Sequence, residues 1–112
     1  MISQAKLAGG SAEASIGTGT YAITREAKLH KVTPTAPSLS ATLPDARDAS
    51  LQTGGVLFVV WNGSGSQSLL LKNAAGTTLE TLTANQIAIV GLYSNLTLGG
   101  VWFRLVLTKK GP

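Results

Sequence analysis

Few side chains in this sequence can move a proton near neutrality: Glu13, Glu26, Asp45, Asp48, Glu80 and the single histidine, His30. General acid–base catalysis needs two such groups placed on one reacting atom. Asp45 and Asp48 lie three apart, and their expected arrangement is a solvated loop paired with the intervening Arg47. Two carboxylates are too few for a calcium loop, and one imidazole excludes any metal site built on two. The absence of Cys removes thiolate nucleophiles, zinc thiolates and disulfides together. No serine has glycine two positions away on both sides, so the strand-turn-helix nucleophile elbow is missing. Gly17-Thr18-Gly19-Thr20-Tyr21-Ala22 matches the loose G-x-G-x-x-A phosphate pattern, but no apolar strand precedes it. Asn62-Gly63-Ser64 and Asn95-Leu96-Thr97 fit the glycosylation pattern, but Met1 to Gly10 does not read as a signal peptide and they are expected to be turn residues. The expectation is a protein that is not an enzyme, with no catalytic residue, cofactor or metal.

Binding chemistry is also sparse. The nine basic and five acidic residues give a net charge of +4, and no basic run exceeds Lys109-Lys110. Nucleic-acid binders carry denser basic stripes, and single-strand binders interleave them with aromatics. Only Trp102-Phe103-Arg104 has that form. Trp61 and Trp102 sit at the ends of strongly apolar runs, where core packing is expected before ligand stacking. No stretch approaches the roughly 18 apolar residues of a membrane-spanning helix. Neither nucleic acid nor membrane is an expected partner, and folding in a cytoplasm is expected.

The elements that must position these residues are short. Only 12% of the 112 residues are charged against 44% hydrophobic, and the difference is made up by Ser, Thr and thirteen Gly. That mixture suits strands and tight turns. Residues 1–19 are small and flexible in composition and read as an N-terminal arm, with Ile2, Leu7 and Ile16 as anchors for a neighbouring subunit. Residues 20–108 read as one β-domain, and 109–112 as a basic tail. Thr20 to Thr24 alternates, Arg25 to Lys31 is ambiguous between helix and strand, and Ser38 to Leu43 alternates with Leu39, Ala41 and Leu43 on one side. Val56 to Trp61 is apolar on both faces, which predicts a central strand or one beneath an oligomer contact. Asn62-Gly63-Ser64-Gly65 predicts a hairpin turn to Ser68–Lys72. Thr77–Thr83 and Gln86–Tyr93 follow, the latter broken by Gly91, a sign of a bulge or close backbone approach. Val101–Thr108 closes the domain, with Val101, Phe103, Leu105 and Leu107 expected inward. The predicted fold is all-β: an antiparallel β-sandwich or flattened barrel of about seven strands with a flexible N-terminal arm.

Ser40-Ala41-Thr42-Leu43-Pro44-Asp45-Ala46, the strand ending at Asn62-Gly63, and Gly99-Gly100-Val101-Trp102 before the last strand together resemble small β-domains of tailed-bacteriophage virion proteins. Such domains occur in capsid decoration (cement) proteins and in tail-fibre or tail-tip proteins. The resemblance spans residues 20 to 108 and implies a structural protein of the virion exterior, assembled in the host cytoplasm. Its expected partners are the major capsid protein and further copies of itself, a homotrimer being favoured. Within that implied role Ile2, Leu7 and Ile16 pack on a neighbour, and Lys28, Lys31, Lys109 and Lys110 meet acidic patches on the shell. The alternative it implies is a receptor- or sugar-binding module of the tail, which calls for an accessible Tyr93 or Trp102.

Overall fold

A computed structural model describes residues 10–48 and 51–108. Among them nine strands form: β1 (Ser11–Ile16), β2 (Thr20–Ala22), β3 (Leu29–Pro34), β4 (Leu39–Thr42), β5 (Val56–Asn62), β6 (Leu69–Lys72), β7 (Thr78–Leu82), β8 (Gln86–Ser94) and β9 (Val101–Thr108). They make two mixed sheets, one of five strands in the order β1-β3-β5-β8-β9 and one of four in the order β2-β4-β6-β7. The all-β class is therefore observed, with more strands than the seven expected.

The first six strands change sheet at every connection. Each odd strand joins the five-stranded sheet and each even strand the four-stranded one, so strands two apart in sequence lie side by side and parallel. Parallel neighbours need a crossover. Here the crossover is a strand of the opposite sheet. The winding stops at β6, where Asn73–Gly76 turns the chain into the β6–β7 hairpin, and β8 and β9 then add antiparallel to the edge of β5. The expectation of mostly antiparallel neighbours is corrected: four of the seven ladders are parallel. The predicted β5–β6 hairpin is corrected for the same reason, since its two strands belong to different sheets.

One apolar core fills the space between the sheets. Val32, Phe58, Val60, Ala88, Val90, Leu92 and Trp102 come from the five-stranded sheet, and Ala41, Leu69, Leu71 and Leu82 from the other. The alternation expected at Leu39, Ala41 and Leu43 places all three inside, and β5 is central, as its two apolar faces predicted. β1 and β3 were not foreseen. Ser11 to Ile16 does alternate, with Ala12, Ala14 and Ile16 the less exposed set, but two of those three are alanines and the periodicity carries little hydrophobic contrast. From Ser11 onward the expected arm is part of the domain, and Ile16 packs against this chain's own core instead of anchoring a neighbour. Ile2, Leu7, Lys109 and Lys110 lie outside the described residues.

The crossover from β5 to β6 is held by a buried amide. Asn62 has no exposed surface, and its Nδ2 donates to the carbonyls of Gln67 at 2.8 Å, Leu82 at 2.9 Å and Thr83 at 3.1 Å. Its Oδ1 accepts from the Ser64 backbone N–H at 3.0 Å. Ser64 continues the corner, its Oγ accepting from the N–H groups of Ser66 and Gln67. Asn62→Ala would orphan three carbonyls and one N–H at a buried corner, a cost of about 3 kcal/mol. Urea unfolding of the variant should show a lower midpoint with an unchanged slope.

Candidate functional site

The titratable groups of the described residues are dispersed, and His30, Asp45 and Glu80 are engaged in structural contacts. The His30 ring is buried, and its Nε2 faces the carbonyls of Thr24 at 3.0 Å and Ala27 at 2.9 Å. Carbonyls only accept, so Nε2 carries the proton and Nδ1 accepts from the Tyr21 hydroxyl at 2.9 Å. Tyr21 and Phe58 meet this ring edge-on. Asp45 accepts from Arg47 three times, twice from the guanidinium and once from the backbone N–H. The side-chain hydrogen bond from Arg47, then its backbone N–H, hold the exposed Asp45 carboxyl below its ordinary range. The Asp45–Arg47 pairing expected from sequence is thus present. Asp48 contributes its backbone to the same turn, donating to the Asp45 carbonyl at 3.0 Å and accepting from the Leu51 N–H at 2.9 Å. Glu80 takes a bond from Arg104 at 3.1 Å, tying β7 of one sheet to β9 of the other. Glu13 and Glu26 border a hollow of about 570 Å³ beside Tyr21. Among the described residues no three His, Asp or Glu side chains converge as a metal centre would require.

The outward face of the five-stranded sheet has a different character. Register places Glu13, Lys31, Trp61, Ile87 and Leu107 in one row across it, and Ser11, Leu29, Val59, Ile89 and Leu105 in the next. The rows run from polar at β1 to wholly apolar at β8 and β9. Lys31 is engaged within its row, with Nζ 3.5 Å from Glu13 Oε2 and 4.4 Å from the centre of the Trp61 ring. Stacking of this kind is a cation–π contact. It makes Lys31 a member of the face more than a free basic contact, and it leaves Trp61 half-buried on the outside instead of in the core. Lys28 lies at the β1 end of the face, lining a second hollow with Gly10, Ser11, Leu29 and Val59.

β9 reverses the orientation expected of it. Trp102 points inward, 3% exposed, and its Nε1 donates to the Gly99 carbonyl at 2.8 Å. Arg104 shares that side, anchored by Glu80 and by the Trp102 carbonyl. Val101, Phe103, Leu105 and Leu107 therefore point outward, each about half exposed. Both alternating sets of β9 look apolar in sequence, apart from Arg104 and Thr108. The deciding signal is that each long inward side chain brings a polar atom with a partner waiting: the indole over Gly99, the guanidinium over Glu80. Nothing comparable engages the odd set.

Beyond β8 the apolar surface continues into the loop of residues 95–100. Tyr93 is 78% and Leu96 85% exposed. Between Tyr93 and Phe103 a hollow of about 370 Å³ has a floor of Gly54, Gly55 and Gly91. Gly91 is required there: a Cβ on it would stand 2.4 Å from the Gly55 carbonyl oxygen, and the β5–β8 register shifts at this point. The bulge or close approach expected at Gly91 is both. Behind the hollow Gly100 (φ 66°) packs against Ala46, whose N–H donates to the Leu98 carbonyl at 3.0 Å.

No family model, curated protein or solved structure matches this chain.

Burial raises the Tyr21 phenol above its ordinary value near 10. A phenol that ionises less readily folded than unfolded stabilises the fold fully below its unfolded pKa, and that contribution is lost as pH climbs through the higher folded value. Unfolding followed between pH 8 and 11 should show stability falling above pH 10. Tyr21→Phe should flatten the decline while losing about 1 to 2 kcal/mol at neutral pH, because His30 Nδ1 is left without its donor.

Proposed function

We propose that this protein is a non-catalytic structural protein of a tailed-phage virion, a decoration protein that docks on the assembled head through the apolar outer face of its five-stranded sheet. One observation carries the reading. Val101, Phe103, Leu105 and Leu107 line the outer face of β9, Tyr93 shares a hollow with Phe103, and Leu96 is exposed in the loop that follows β8, on a chain in which only 12% of residues are charged. Monomeric soluble proteins seldom leave such a surface uncovered. Covering the exposed part of such side chains is worth about 1 kcal/mol or more apiece. The segments behind the phage resemblance meet at the same place: Ala46 packs against Gly100 and donates its N–H to Leu98, both in the loop of residues 95–100. In this reading the two sheets stack as a sandwich whose core sets the shape of the docking face.

The mechanism is mass action. A subunit that binds the assembled shell, and not its dissociated parts, stabilises the shell by RT ln(1 + [L]/Kd). Specific contacts then matter only through Kd. A second reading, a sugar-binding module at the tail, is favoured by Tyr93 alone, since a ring 78% exposed above a glycine-floored hollow offers a stacking surface. Trp102, the other aromatic that could serve that reading, is buried.

Electron microscopy of particles that carry the labelled chain separates the two: a regular lattice over the shell is expected, and a few copies at one vertex or on the tail would sink the decoration reading. Leu96→Glu should leave the fold intact, because the side chain touches little of its own chain, and should weaken binding to undecorated shells at least tenfold in co-sedimentation. Unchanged binding would remove the loop of residues 95–100 from the contact.

A further inference from the structure

Among the described residues the two sheets have four edges, and three carry the devices that keep edges from pairing. β1 sets Glu13 between Ser11 and Ser15 on its outward face. β2 is three residues long. β7 is five residues long and carries a bulge of its own at Leu79, between the Lys72–Thr78 and Leu71–Glu80 pairs. β9 has none of these. It is eight residues long and contains no proline, its outward side chains are Val101, Phe103, Leu105 and Leu107, and its one charge, Arg104, is already spent on Glu80 and on the Trp102 carbonyl. Among the described residues no strand pairs with its far side.

We infer that β9 pairs antiparallel with β9 of a second copy, joining two five-stranded sheets into one across a twofold axis. The register follows from side-chain chemistry. A twofold normal to the sheet keeps outward residues beside outward residues, so the axis must pass at a single residue. Centring on Arg104 would set two guanidinium groups opposite each other, which costs stability. Centring on Phe103 leaves Leu107 facing Gly99 and shortens the ladder. Centring on Leu105 pairs it with its own copy, sets Phe103 against Leu107 at both ends, and places Arg104 beside Val106. All of Trp102 to Thr108 is then paired. A ladder of seven residues a side with three outward apolar side chains makes a small interface, so weak association, in the micromolar range, is expected.

This pairing is independent of what the docking face binds. A monomer would overturn it and leave shell binding through Leu96 standing, while unchanged shell binding by the Leu96 variant would leave the dimer standing. The homotrimer implied by the phage resemblance has no place for a twofold β9 ladder, and sedimentation decides between them.

The chain contains no Cys, so an introduced thiol meets only its twin. Residues directly opposite in an antiparallel pair have Cβ atoms about 5 Å apart, within reach of a disulfide after slight adjustment. Under mild oxidation the full chain carrying Leu105→Cys should give a covalent dimer on a non-reducing gel, at least tenfold faster than Ser15→Cys on the opposite edge. The unaltered chain should sediment as a dimer at about 100 µM, and Leu105→Lys, with its circular dichroism unchanged, as a monomer. A monomeric or trimeric unaltered chain, equal crosslinking at both edges, or a covalent dimer formed through Phe103→Cys in preference to Leu105→Cys would overturn the proposal.

Discussion

The architecture depends on turning the chain from one sheet to the other without leaving backbone groups unpaired, and the Asn62 amide is where that requirement is most concentrated. An open hairpin turn would satisfy its own hydrogen bonds and return the strand beside its neighbour. A crossover cannot do that, because the strands on either side of it belong to different sheets and their end groups face each other across the core's rim. Asn62 answers with two N–H donors shared among three carbonyls and one acceptor for the Ser64 N–H. The carbonyls come from the crossover itself and from the end of β7, so a single side chain fastens the wound part of the chain to the hairpin that ends the winding. Aspartate could not replace it, since a carboxylate has no donor for three carbonyls.

Winding between sheets also determines what faces outward. Each strand of the coil has one face on the shared core, and the returning strands β8 and β9 extend the five-stranded sheet past the width of the four-stranded one. The added strands still need an inner face. Ala88, Val90, Leu92 and Trp102 supply it, and the Arg104–Glu80 ion pair closes the gap between the β9 and β7 edges. Once Trp102 and Arg104 take the inner side, strict alternation sends Phe103, Leu105 and Leu107 out. The exposed apolar surface is thus tied to the internal lock: no rotation of β9 could bury the odd set without expelling the indole and breaking the bridge to Glu80.

Much of this was legible in the residues. The strand class, the central place of Val56 to Trp61, the close approach at Gly91 and the Asp45–Arg47 pairing are all legible because each leaves its mark in a short run of residues. What could not be read is decided by partners far away. Asn62-Gly63 carries the same turn signal in a hairpin as in a crossover, and only the carbonyls of Leu82 and Thr83, twenty residues on, distinguish them. β1 was hidden because alanines at positions 12 and 14 give alternation without hydrophobic contrast. The facing of β9 was hidden because the side that looked more polar holds the two residues whose polar atoms find partners inside.

That last misreading bears on function. A strand with Val, Phe, Leu and Leu on one face is ordinarily read as turning that face to its own core, and a pattern of this kind counts as evidence for folding. Here the core is complete without it: Trp102 fills the inner position of β9, and Val106 packs against the same cluster. The outward residues are therefore surplus to folding. Surface apolar groups that do no folding work carry a cost in solubility, and the chain has few charges to offset it. The other sheet edges carry Glu13, a strand of only three residues and a bulge at Leu79. In the proposed dimer, protection at three edges and its omission at the fourth direct pairing to β9.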